Sequence, residues 1–299
     1  MSVSVAFIGL GAMGAPMAAN LLDAGIALRV YNRHAQRAQA LGARGAVVCA
    51  SIAEAVEGAR FVVSMVSDDN ATRAVMLAPD GVVARAAPGT VIVDASTNSP
   101  ALTRTVAAEA HRRGLFHLDA PVAGSIAQAR SRELVFMVGG ELPALELARP
   151  LLEAMGRMTV HMGHSGAGAT MKLINNMLSG VLTAAIAEAM AVAQAAHVDP
   201  EAARQILCEG AAGSRLTNSK IPKMIARDFA PQFQLELMDK DLRYFLALAE
   251  QVDRPVPLGA LVRSQLQGAR LAGLGHLDTS ALLLHITGQP ARGETPPKA

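Results

Sequence analysis

Short apolar runs alternate with amphipathic segments through the first half of the chain. Each run is rich in Val, Ile or Phe and leads into a polar or glycine-rich loop, which is typical of strands buried in a parallel sheet. We predict such strands at Val3–Ile8, Ala27–Tyr31, Arg60–Val66, Thr90–Asp94, Leu115–Leu118, Leu134–Val138 and Met158–Met162. Strands that alternate with helices and end in polar loops predict a doubly wound α/β sheet, which binds ligands at the carboxyl ends of its strands.

Helix-start signals lie between these runs. Ser51 is followed three residues later by Glu54, which is the pattern of a capping box. Ser99 precedes Pro100, a pair suited to the N-cap and first position of a helix. A further helix is predicted over Pro143–Met155. The first half therefore has the βαβ rhythm of a Rossmann-type domain.

The pattern changes at Gly163, after which we predict no further strand. The segment Gly163–His197 begins with a glycine-rich turn and continues as a Pro-free run that is apolar nearly all round. Such a run predicts a buried helix roughly 45 Å long. More helices are predicted at Pro200–Glu209, Leu235–Asp253, Leu258–Ala272 and Ser280–Ile286. We therefore predict a Rossmann-type domain over residues 1–163 and an all-α domain over residues 164–299.

Composition narrows the class of protein. The 299 residues are 51% hydrophobic and 17% charged, with a net charge of +2 and no basic run, so nucleic acid is not the expected partner. Cys49 and Cys208 lie far apart without the spacing of a metal site. We expect no metal, and we expect both thiols to be free in a reducing cytosol.

The long apolar run could in principle cross a membrane. Glu188 and two asparagines interrupt it, however, and no aromatic or basic belt flanks it. The N-terminus is apolar but lacks the basic region of a signal peptide. We therefore expect a soluble, cytoplasmic protein that does not engage a membrane.

A glycine-rich hexapeptide directly follows the first predicted strand and precedes a predicted helix. In this G-x-G-x-x-G pattern the first glycine permits a tight turn, the second admits a pyrophosphate, and the third lets the helix pack close to the strand. The alternative is a glycine-rich turn that binds nothing. The strand–turn–helix context favours dinucleotide binding by Gly9, Leu10, Gly11, Ala12, Met13 and Gly14.

The end of the second strand bears on cofactor choice. An NAD-binding fold places an acidic residue there to hold the ribose hydroxyls, whereas this chain has Asn32 followed by Arg33, with Arg37 one turn further on. An arginine would pair with a 2′-phosphate. We predict NADP in preference to NAD, with Asn32 and Arg33 at the cofactor; the alternative is an arginine exposed to solvent.

One lysine stands near the start of the long apolar helix. Lys172 shares a helical face with Asn175 and Asn176. Burying an ammonium group is costly, so this position requires a reason. From the residues alone, a catalytic lysine and a lysine that extends to solvent at a helix start are equally supported.

Four blocks together resemble the β-hydroxyacid dehydrogenase family, which includes the 3-hydroxyisobutyrate dehydrogenases. They are FIGLGAMGAPMAANLLDAG at Phe7–Gly25, LDAPVAGS with FMVGG within Leu118–Gly140, GAGATMKLINN at Gly166–Asn176, and FAPQFQLELMDKDL at Phe229–Leu242 with GLGHLDTSAL at Gly273–Leu282. The resemblance runs from residue 3 to about residue 286. The lysine block and the DKD segment, in this order, are its most specific parts.

The resemblance implies roles for several side chains. It makes Lys172 the catalytic acid/base and Asn176 the residue that orients the substrate or the lysine. Because hydride transfer to a carbonyl builds negative charge on oxygen, a proton-donating cation fits that role. The matching positions imply cofactor contacts for Val66, Ser67, Thr97 and Lys240 and substrate contacts for Ser96, Ala123, Gly124 and Ser125. Without the resemblance, Lys240 would be read as a solvated charge.

The substrate loop departs from the family pattern. The family has a serine at the position of Ala123 and a glycine at the position of Ser125. The loss of that serine removes one hydrogen-bond donor to a substrate carboxylate, which Ser125 could replace from a shifted position. Downstream, Ser131–Glu133 stands where the family usually has a glycine before the strand; Arg130 or Arg132 could reach an acidic substrate or could be solvated.

We therefore expect an NADP-preferring oxidoreductase that interconverts a small semialdehyde or similar carbonyl acid and its hydroxy acid. The domains are expected to close on the substrate, and the apolar helix is expected to be buried in a homodimer or homotetramer. The alternatives are a reductase of bulkier carbonyls or imines with the same fold, and a dinucleotide-binding protein without turnover. A 6-phosphogluconate dehydrogenase is disfavoured by the short C-terminal half.

Overall fold

The computed structural model describes residues 4–289. The chain divides into two compact units, Met1–Lys172 and Leu173–Ala299. The long helix Ala167–Ala195 crosses this division, so that its first turns, through Lys172, belong to the first unit.

A nine-stranded sheet forms the centre of the first unit. Its strands are β1 (Ser4–Ile8), β2 (Ala27–Tyr31), β3 (Val47–Val48), β4 (Phe61–Ser64), β5 (Val91–Asp94), β6 (Phe116–Asp119), β7 (Val122–Ala123), β8 (Leu134–Gly139) and β9 (Gly156–Gly163). The order is β3-β2-β1-β4-β5-β6-β8-β7, with β9 also paired to β8. The first six in this order are parallel, β8 runs antiparallel to β6 and β7, and β9 is parallel to β8.

Helices follow most of these strands, as the predicted βαβ rhythm requires. They are α1 (Gly14–Asp23), α2 (Gln39–Gly42), α3 (Ile52–Val56), α4 (Asp69–Met76), α5 (Val82–Arg85), α6 (Pro100–Arg112), α7 (Ile126–Arg130), α8 (Leu142–Met155) and the start of α9 (Ala167–Ala195). The Ser51 and Ser99 side chains accept from the N–H groups of Glu54 and Leu102 and so cap α3 and α6. The reciprocal half of the capping box predicted at Ser51 is not formed, because Glu54 Oε2 accepts from the N–H of Ala50 at 2.7 Å. Two apolar clusters of fully buried side chains lie in this unit, one including Phe7 and Phe136.

In the described residues of the second unit, up to residue 289, the regular elements are helices, and one isolated β-bridge joins Gln234 and Asp278. The unit contains the rest of α9 and α10 (Pro200–Glu209), α11 (Arg215–Ala226), α12 (Leu235–Gln251), α13 (Pro257–Leu271) and α14 (Leu282–Thr287), with short 3₁₀ turns at Leu274–His276 and Thr279–Ala281. One apolar cluster joins these helices and includes Leu235, Leu242 and Leu266. The fold class predicted from the sequence, a Rossmann-type sheet followed by an all-α region, is confirmed.

Several predicted bounds are confirmed and some elements were not predicted. The strand Ala27–Tyr31 and the helix Pro200–Glu209 have the predicted bounds, whereas β3, β7 and α11 were not predicted. Pro222 lies inside α11 and removes a backbone donor, so the local sequence does not predict a helix.

The long helix α9 is the one helix among residues 4–289 that is apolar and long enough to cross a membrane by length and composition.

Candidate active site

The glycine loop between β1 and α1 has the shape of a phosphate cradle. Gly9 adopts φ +94°, which favours glycine, and a Cβ there would collide with the carbonyl of Met65. A Cβ on Gly14 would collide with the carbonyl of Gly9, so helix and turn are in close contact. A Cβ on Gly11 would meet nothing within 4 Å, so the backbone there is open to an approaching ligand. The loop therefore fits the pyrophosphate of a dinucleotide.

Asn32 ties this loop to the turn that carries the predicted 2′-phosphate arginine. Its Oδ1 accepts from the N–H of Leu10 at 2.9 Å, and its Nδ2 donates to the carbonyl of His34 at 2.9 Å. Arg33 and Arg37 are both exposed. Asn32 therefore shapes the loop with both ends of its amide, a role that the sequence did not predict.

Asp94, at the end of β5, organises the loop that contains Ser96 and Thr97. Its carboxylate accepts from the Ser64 hydroxyl at 2.7 Å, the Ser96 N–H at 3.1 Å and the Asn98 Nδ2 at 2.8 Å. The Ser96 hydroxyl in turn accepts from the N–H of Val66 at 3.0 Å. The loops that contain Val66 and Thr97, both predicted to contact the cofactor, are therefore joined through Ser96 and one buried carboxylate.

In the predicted substrate loop, the Ser125 side chain makes hydrogen bonds with its own neighbours. The Ser125 hydroxyl donates to Gln128 Oε1 at 2.5 Å and accepts from the N–H of Ala127 at 3.3 Å, which caps α7. Its single proton is therefore not available to a carboxylate while this capping box stands. Ala123 lies on β7, and Gly124 adopts φ +132° where a Cβ would lie 2.8 Å from the Leu134 side chain.

The two arginines that follow this loop, Arg130 and Arg132, are both exposed. Arg132 lies 3.4 Å from the Asp23 carboxylate and adopts φ +61°. This left-handed conformation explains why a glycine suits the segment. Arg130 is an exposed residue in the last turn of α7.

A second buried carboxylate, Asp119, lies beside Asp94 on the neighbouring strand. Asp119 Oδ1 accepts from the N–H of Gly166 at 2.8 Å and Oδ2 from the N–H of Ala169 at 2.9 Å. Burial raises the pKa of Asp119, although these two bonds oppose the rise. Burial also lowers the pKa of the neighbouring His117, against the opposing effect of both carboxylates. This strand end is therefore a desolvated cluster in direct contact with the start of α9.

Lys172 and Asn176 lie one turn apart on α9. Lys172 is 8% exposed and Asn176 is 4% exposed. In the second unit, Asn176 Nδ2 donates to Asp241 Oδ2 at 2.6 Å and Asn176 Oδ1 accepts from Asn175 at 3.1 Å. The Asp241 carboxylate also lies 3.1 Å from Lys240 Nζ. Asp241 therefore holds both the amide and the lysine of the predicted site in this unit.

The structure thus groups the predicted residues by unit. The glycine loop, Asn32, Arg33, Val66, Ser67, Ser96, Thr97, Ala123, Gly124, Ser125 and Lys172 belong to the first unit, and Asn176 and Lys240 to the second. Among residues 4–289 there is no cluster of His, Cys, Asp and Glu that could hold a metal ion.

Three carboxylates of this region were not among the predicted site residues: Asp94, Asp119 and Asp241. Each is at most 3% exposed and accepts hydrogen bonds from residues of a candidate loop or helix. A signal existed, because Asp94 ends one predicted apolar strand, Asp119 directly follows another, and Asp241 lies in the DKD segment. Buried acids are rarely found without partners.

Two family models match the chain. The first, described as the NAD binding domain of 6-phosphogluconate dehydrogenase, matches residues 4–163. The second, described as NAD-binding of NADP-dependent 3-hydroxyisobutyrate dehydrogenase, matches residues 166–286. Together the two models extend from the first strand to the last helix.

Proteins of known activity and solved structures are similar over nearly the whole chain. The chain is 40% identical to the NAD-dependent L-serine dehydrogenase of Pseudomonas aeruginosa, over 87% of this chain and 90% of that one. It is 36% identical to the 3-sulfolactaldehyde reductase of Escherichia coli, over 95% of each chain. The structure of Mycobacterium tuberculosis 3-hydroxyisobutyrate dehydrogenase with L-serine superposes with a TM-score of 0.86 at 33% identity, covering 96% of this chain and 99% of that one.

Proposed function

Because the chain belongs to the β-hydroxyacid dehydrogenase family and is an NAD(P)-dependent oxidoreductase of the 3-hydroxyisobutyrate dehydrogenase type, we propose that Lys172 is its general acid/base. The proposed substrate is a small β-hydroxy acid or the corresponding semialdehyde, and the proposed cofactor is NADP in preference to NAD. The main supporting observation is that a lysine only 8% exposed lies in a largely apolar helix, one turn from a buried, hydrogen-bonded asparagine.

The proposed chemistry divides simply between cofactor and protein. The bound nicotinamide supplies a hydride to the substrate carbonyl or takes it from the alcohol. Lys172 Nζ donates a proton to the oxygen that gains charge on reduction and accepts it back on oxidation. Asn176, held by Asp241 at 2.6 Å, orients the reacting group. Lys240, 3.1 Å from the same carboxylate, is proposed to contact the cofactor.

The remaining predicted residues hold the cofactor in this proposal. Residues Gly9–Gly14 bind the pyrophosphate at the start of α1, because Gly11 leaves its backbone open. Val66, Ser67 and Thr97 border the rest of the cofactor, in loops that Asp94 and Ser96 join.

The NADP preference is supported by the absence of an acid at the end of β2. Asn32 uses its amide within the protein, and Arg33 is exposed beside it. An exposed guanidinium is suited to a 2′-phosphate. The Arg33→Ala variant is expected to weaken NADPH binding about ten-fold or more and NADH binding little, measured by fluorescence titration.

Arg44→Ala is the matched control for this test, since Arg44 is also exposed and pairs with Asp23 at 2.5 Å. It is expected to leave both affinities unchanged. Equal losses of NADPH and NADH affinity in Arg33→Ala would refute the preference.

The proposed substrate class follows from the relatives and from the loop Ala123–Ser125. The relatives are named for L-serine, 3-hydroxyisobutyrate and 3-sulfolactaldehyde, all small and anionic or zwitterionic. In this chain Ala123 lacks a hydroxyl, and the Ser125 hydroxyl donates to Gln128. The Ser125 N–H also donates to Gln128 Oε1, at 2.9 Å. We therefore propose that the other backbone N–H groups of this loop, those of Ala123 and Gly124, hold the acid group, which favours a small substrate without requiring one particular acid.

The experiment that tests this function is a substrate panel. NADP- and NAD-linked turnover is measured with L-serine, 3-hydroxyisobutyrate and 3-sulfolactaldehyde, and with glyoxylate and succinic, methylmalonic and tartronic semialdehydes. Lys172→Ala is expected to lose about 10²-fold or more of kcat, whereas the control Lys223→Ala, which removes a lysine paired with Asp228 at 3.4 Å, retains full activity. Turnover only on bulkier carbonyls or imines, or full activity in Lys172→Ala, would contradict the proposal.

We further propose a cytoplasmic homodimer or homotetramer. The support is an apolar row on successive turns of α9, formed by Ile174, Leu178 and Leu182, of which Leu178 is 55% exposed. Leu178→Lys is expected to give smaller species in sedimentation velocity, whereas Val252→Lys, a control with the same 55% exposure, leaves the distribution unchanged. A monomeric wild-type protein would contradict the proposal.

A further inference from the structure

The first turn of α9 is capped by a side chain from another element. A helix begins with backbone N–H groups that have no acceptor within the helix. In a capping box, the side chains at the N-cap and three residues later satisfy two of them reciprocally. In α9 one carboxylate takes both parts, since Asp119 accepts from the N-cap Gly166 at 2.8 Å and from Ala169, three residues on, at 2.9 Å.

The same contact fixes the helix start directly against the sheet. A Cβ on Gly139 of β8 would lie 2.7 Å from both oxygens of Asp119. A Cβ on Gly168 would lie 2.6 Å from the backbone oxygen of Asp119 and 2.9 Å from the Gly139 nitrogen. Because nothing larger than glycine fits at either place, the backbone of this turn is placed by strands β6 and β8.

Lys172 follows Ala169 by three residues, so the capped turn leads directly into the turn that carries the lysine. A displacement of about 1 Å at a reacting group can cost about 10²-fold in rate. We infer that Asp119 is a positioning residue for Lys172: it anchors the first turn of α9 to β6 and thereby sets where the lysine ammonium is presented. This inference rests on the role proposed for Lys172.

The fold does not require a charged side chain at position 119. Burial raises the pKa of Asp119, so the ionised carboxylate is costly at this place. A neutral isostere is therefore expected to fold. In Asp119→Asn the Nδ2 atom cannot accept, which leaves one of the two helix N–H groups without its partner. The Asp119→Asn variant thus loses one hydrogen bond of the cap but keeps a side chain of the same shape at this position.

The test combines a structural and a kinetic readout on the purified full-length protein. In Asp119→Asn, hydrogen–deuterium exchange is expected to accelerate in the peptide covering residues 164–172 and not in α1. With a substrate that the wild type turns over, kcat is expected to fall about 10- to 100-fold, and KM for the cofactor is expected to change less than two-fold. The primary isotope effect with cofactor deuterated at the transferred hydride is expected to rise, because hydride transfer becomes rate-limiting.

A purely structural role predicts something different. A variant that only lost folded protein would show a lower active fraction with an unchanged isotope effect. The matched control is Asp278→Asn, which replaces another buried carboxylate, at the Thr279–Ala281 turn of the second unit, and is expected to keep the wild-type isotope effect.

The outcomes separate this inference from the proposed function. Wild-type kcat and isotope effect in Asp119→Asn, with or without faster exchange at residues 164–172, overturn the inference if Lys172→Ala is inactive. Full activity in Lys172→Ala overturns the proposed function itself, whatever Asp119→Asn does.

Discussion

At the scale of single residues, backbone conformation explains why the family usually has a glycine in the segment where this chain has Ser131–Glu133. Arg132 is a candidate contact for an acidic substrate, yet its φ of +61° places it in the left-handed region two residues after the end of α7. A residue with a Cβ costs about 1 kcal/mol or more in this conformation. Its side chain lies 3.4 Å from Asp23, which Arg44 also contacts. The residue preference at position 132 is therefore determined by the backbone conformation of the turn.

Replacing Arg132 by glycine is expected to stabilise the protein. The gain is about 0.5–1 kcal/mol in the free energy of unfolding, because relief of the left-handed strain exceeds both the glycine entropy and a weak exposed ion pair. Urea unfolding measures it. Ser131→Gly is the control, since Ser131 has φ −89° and is expected to gain nothing. A loss of stability in Arg132→Gly would contradict this account.

Gly11 gives a second prediction at this scale. A Cβ there meets nothing within 4 Å and the residue has no positive φ, so Gly11→Ala is expected to leave the unfolding free energy within about 0.5 kcal/mol. Affinity for NADPH, measured by titration, is nevertheless expected to fall about ten-fold or more, since the methyl group occupies the approach to the backbone. Unchanged affinity would argue against a pyrophosphate at this loop.

At the scale of elements, the start of α9 is determined by the sheet beneath it. A Cβ on Gly168 would collide with the carbonyl of Met137 and lie 2.6 Å from that of Asp119. Neither is a side chain that can rotate away, so the helix would have to move. Gly180, on the same helix, would instead meet the side-chain methyl of Leu242 at 3.3 Å, which can adjust.

These two glycines are expected to respond in opposite directions. Gly168→Ala is expected to destabilise the protein by about 2 kcal/mol, the range of overpacking in a rigid surrounding. Gly180→Ala is expected to be neutral or to stabilise by up to about 1 kcal/mol, because alanine is the better helix former. Thermal and urea unfolding measure both, and a tolerated Gly168→Ala would show that the helix start is not fixed by the sheet.

The elements also show what the sequence could and could not predict. Periodicity and N-cap signals are local, so strands such as Ala27–Tyr31 and caps such as Ser99 were predictable. The cap of α9 comes from Asp119, 47 residues away along the chain, and no local pattern reports it. Ser125 is predicted as a substrate contact because its neighbours match a motif, although Ser125 and Gln128 also have the local spacing of a capping box, which the structure forms.

At the scale of the whole molecule, two buried carboxylates couple stability to pH with opposite signs. Asp278 is fully buried and its pKa is lowered: burial alone would raise it, but Lys220 at 2.7 Å and donors including Ser280 outweigh that effect. Asp278 therefore contributes stability that is present above the ordinary value of 3.8 and is lost as the pH falls towards its lowered pKa. Asp119, whose pKa is raised, contributes less stability as the pH rises from 3.8 through its raised pKa.

Acid unfolding is therefore expected to depend on the second unit. Asp278→Asn is expected to cost about 3 kcal/mol or more at pH 7, because it leaves Lys220 buried without its ionic partner. The difference from wild type is expected to shrink as the pH falls below the ordinary value of 3.8, because the carboxyl of the unfolded wild-type chain then takes up a proton before the folded one does. Urea unfolding between pH 3 and 7 measures this, with Asp23→Asn, at an exposed ion pair with Arg44, as control. A difference that is constant with pH would contradict the assignment.

The cap of α9 also has a consequence for the order of folding. Helices normally nucleate from neighbours in sequence, but this first turn closes with a partner 47 and 50 residues earlier in the chain. The intervening segment contains β7, α7, β8, α8 and β9, so the turn can close only after that segment has brought its ends together. In pulse-labelled refolding, the amides of Gly166 and Ala169 are therefore expected to become protected later than those in the middle of α9, and the proposed catalytic lysine would reach its place near the end of folding.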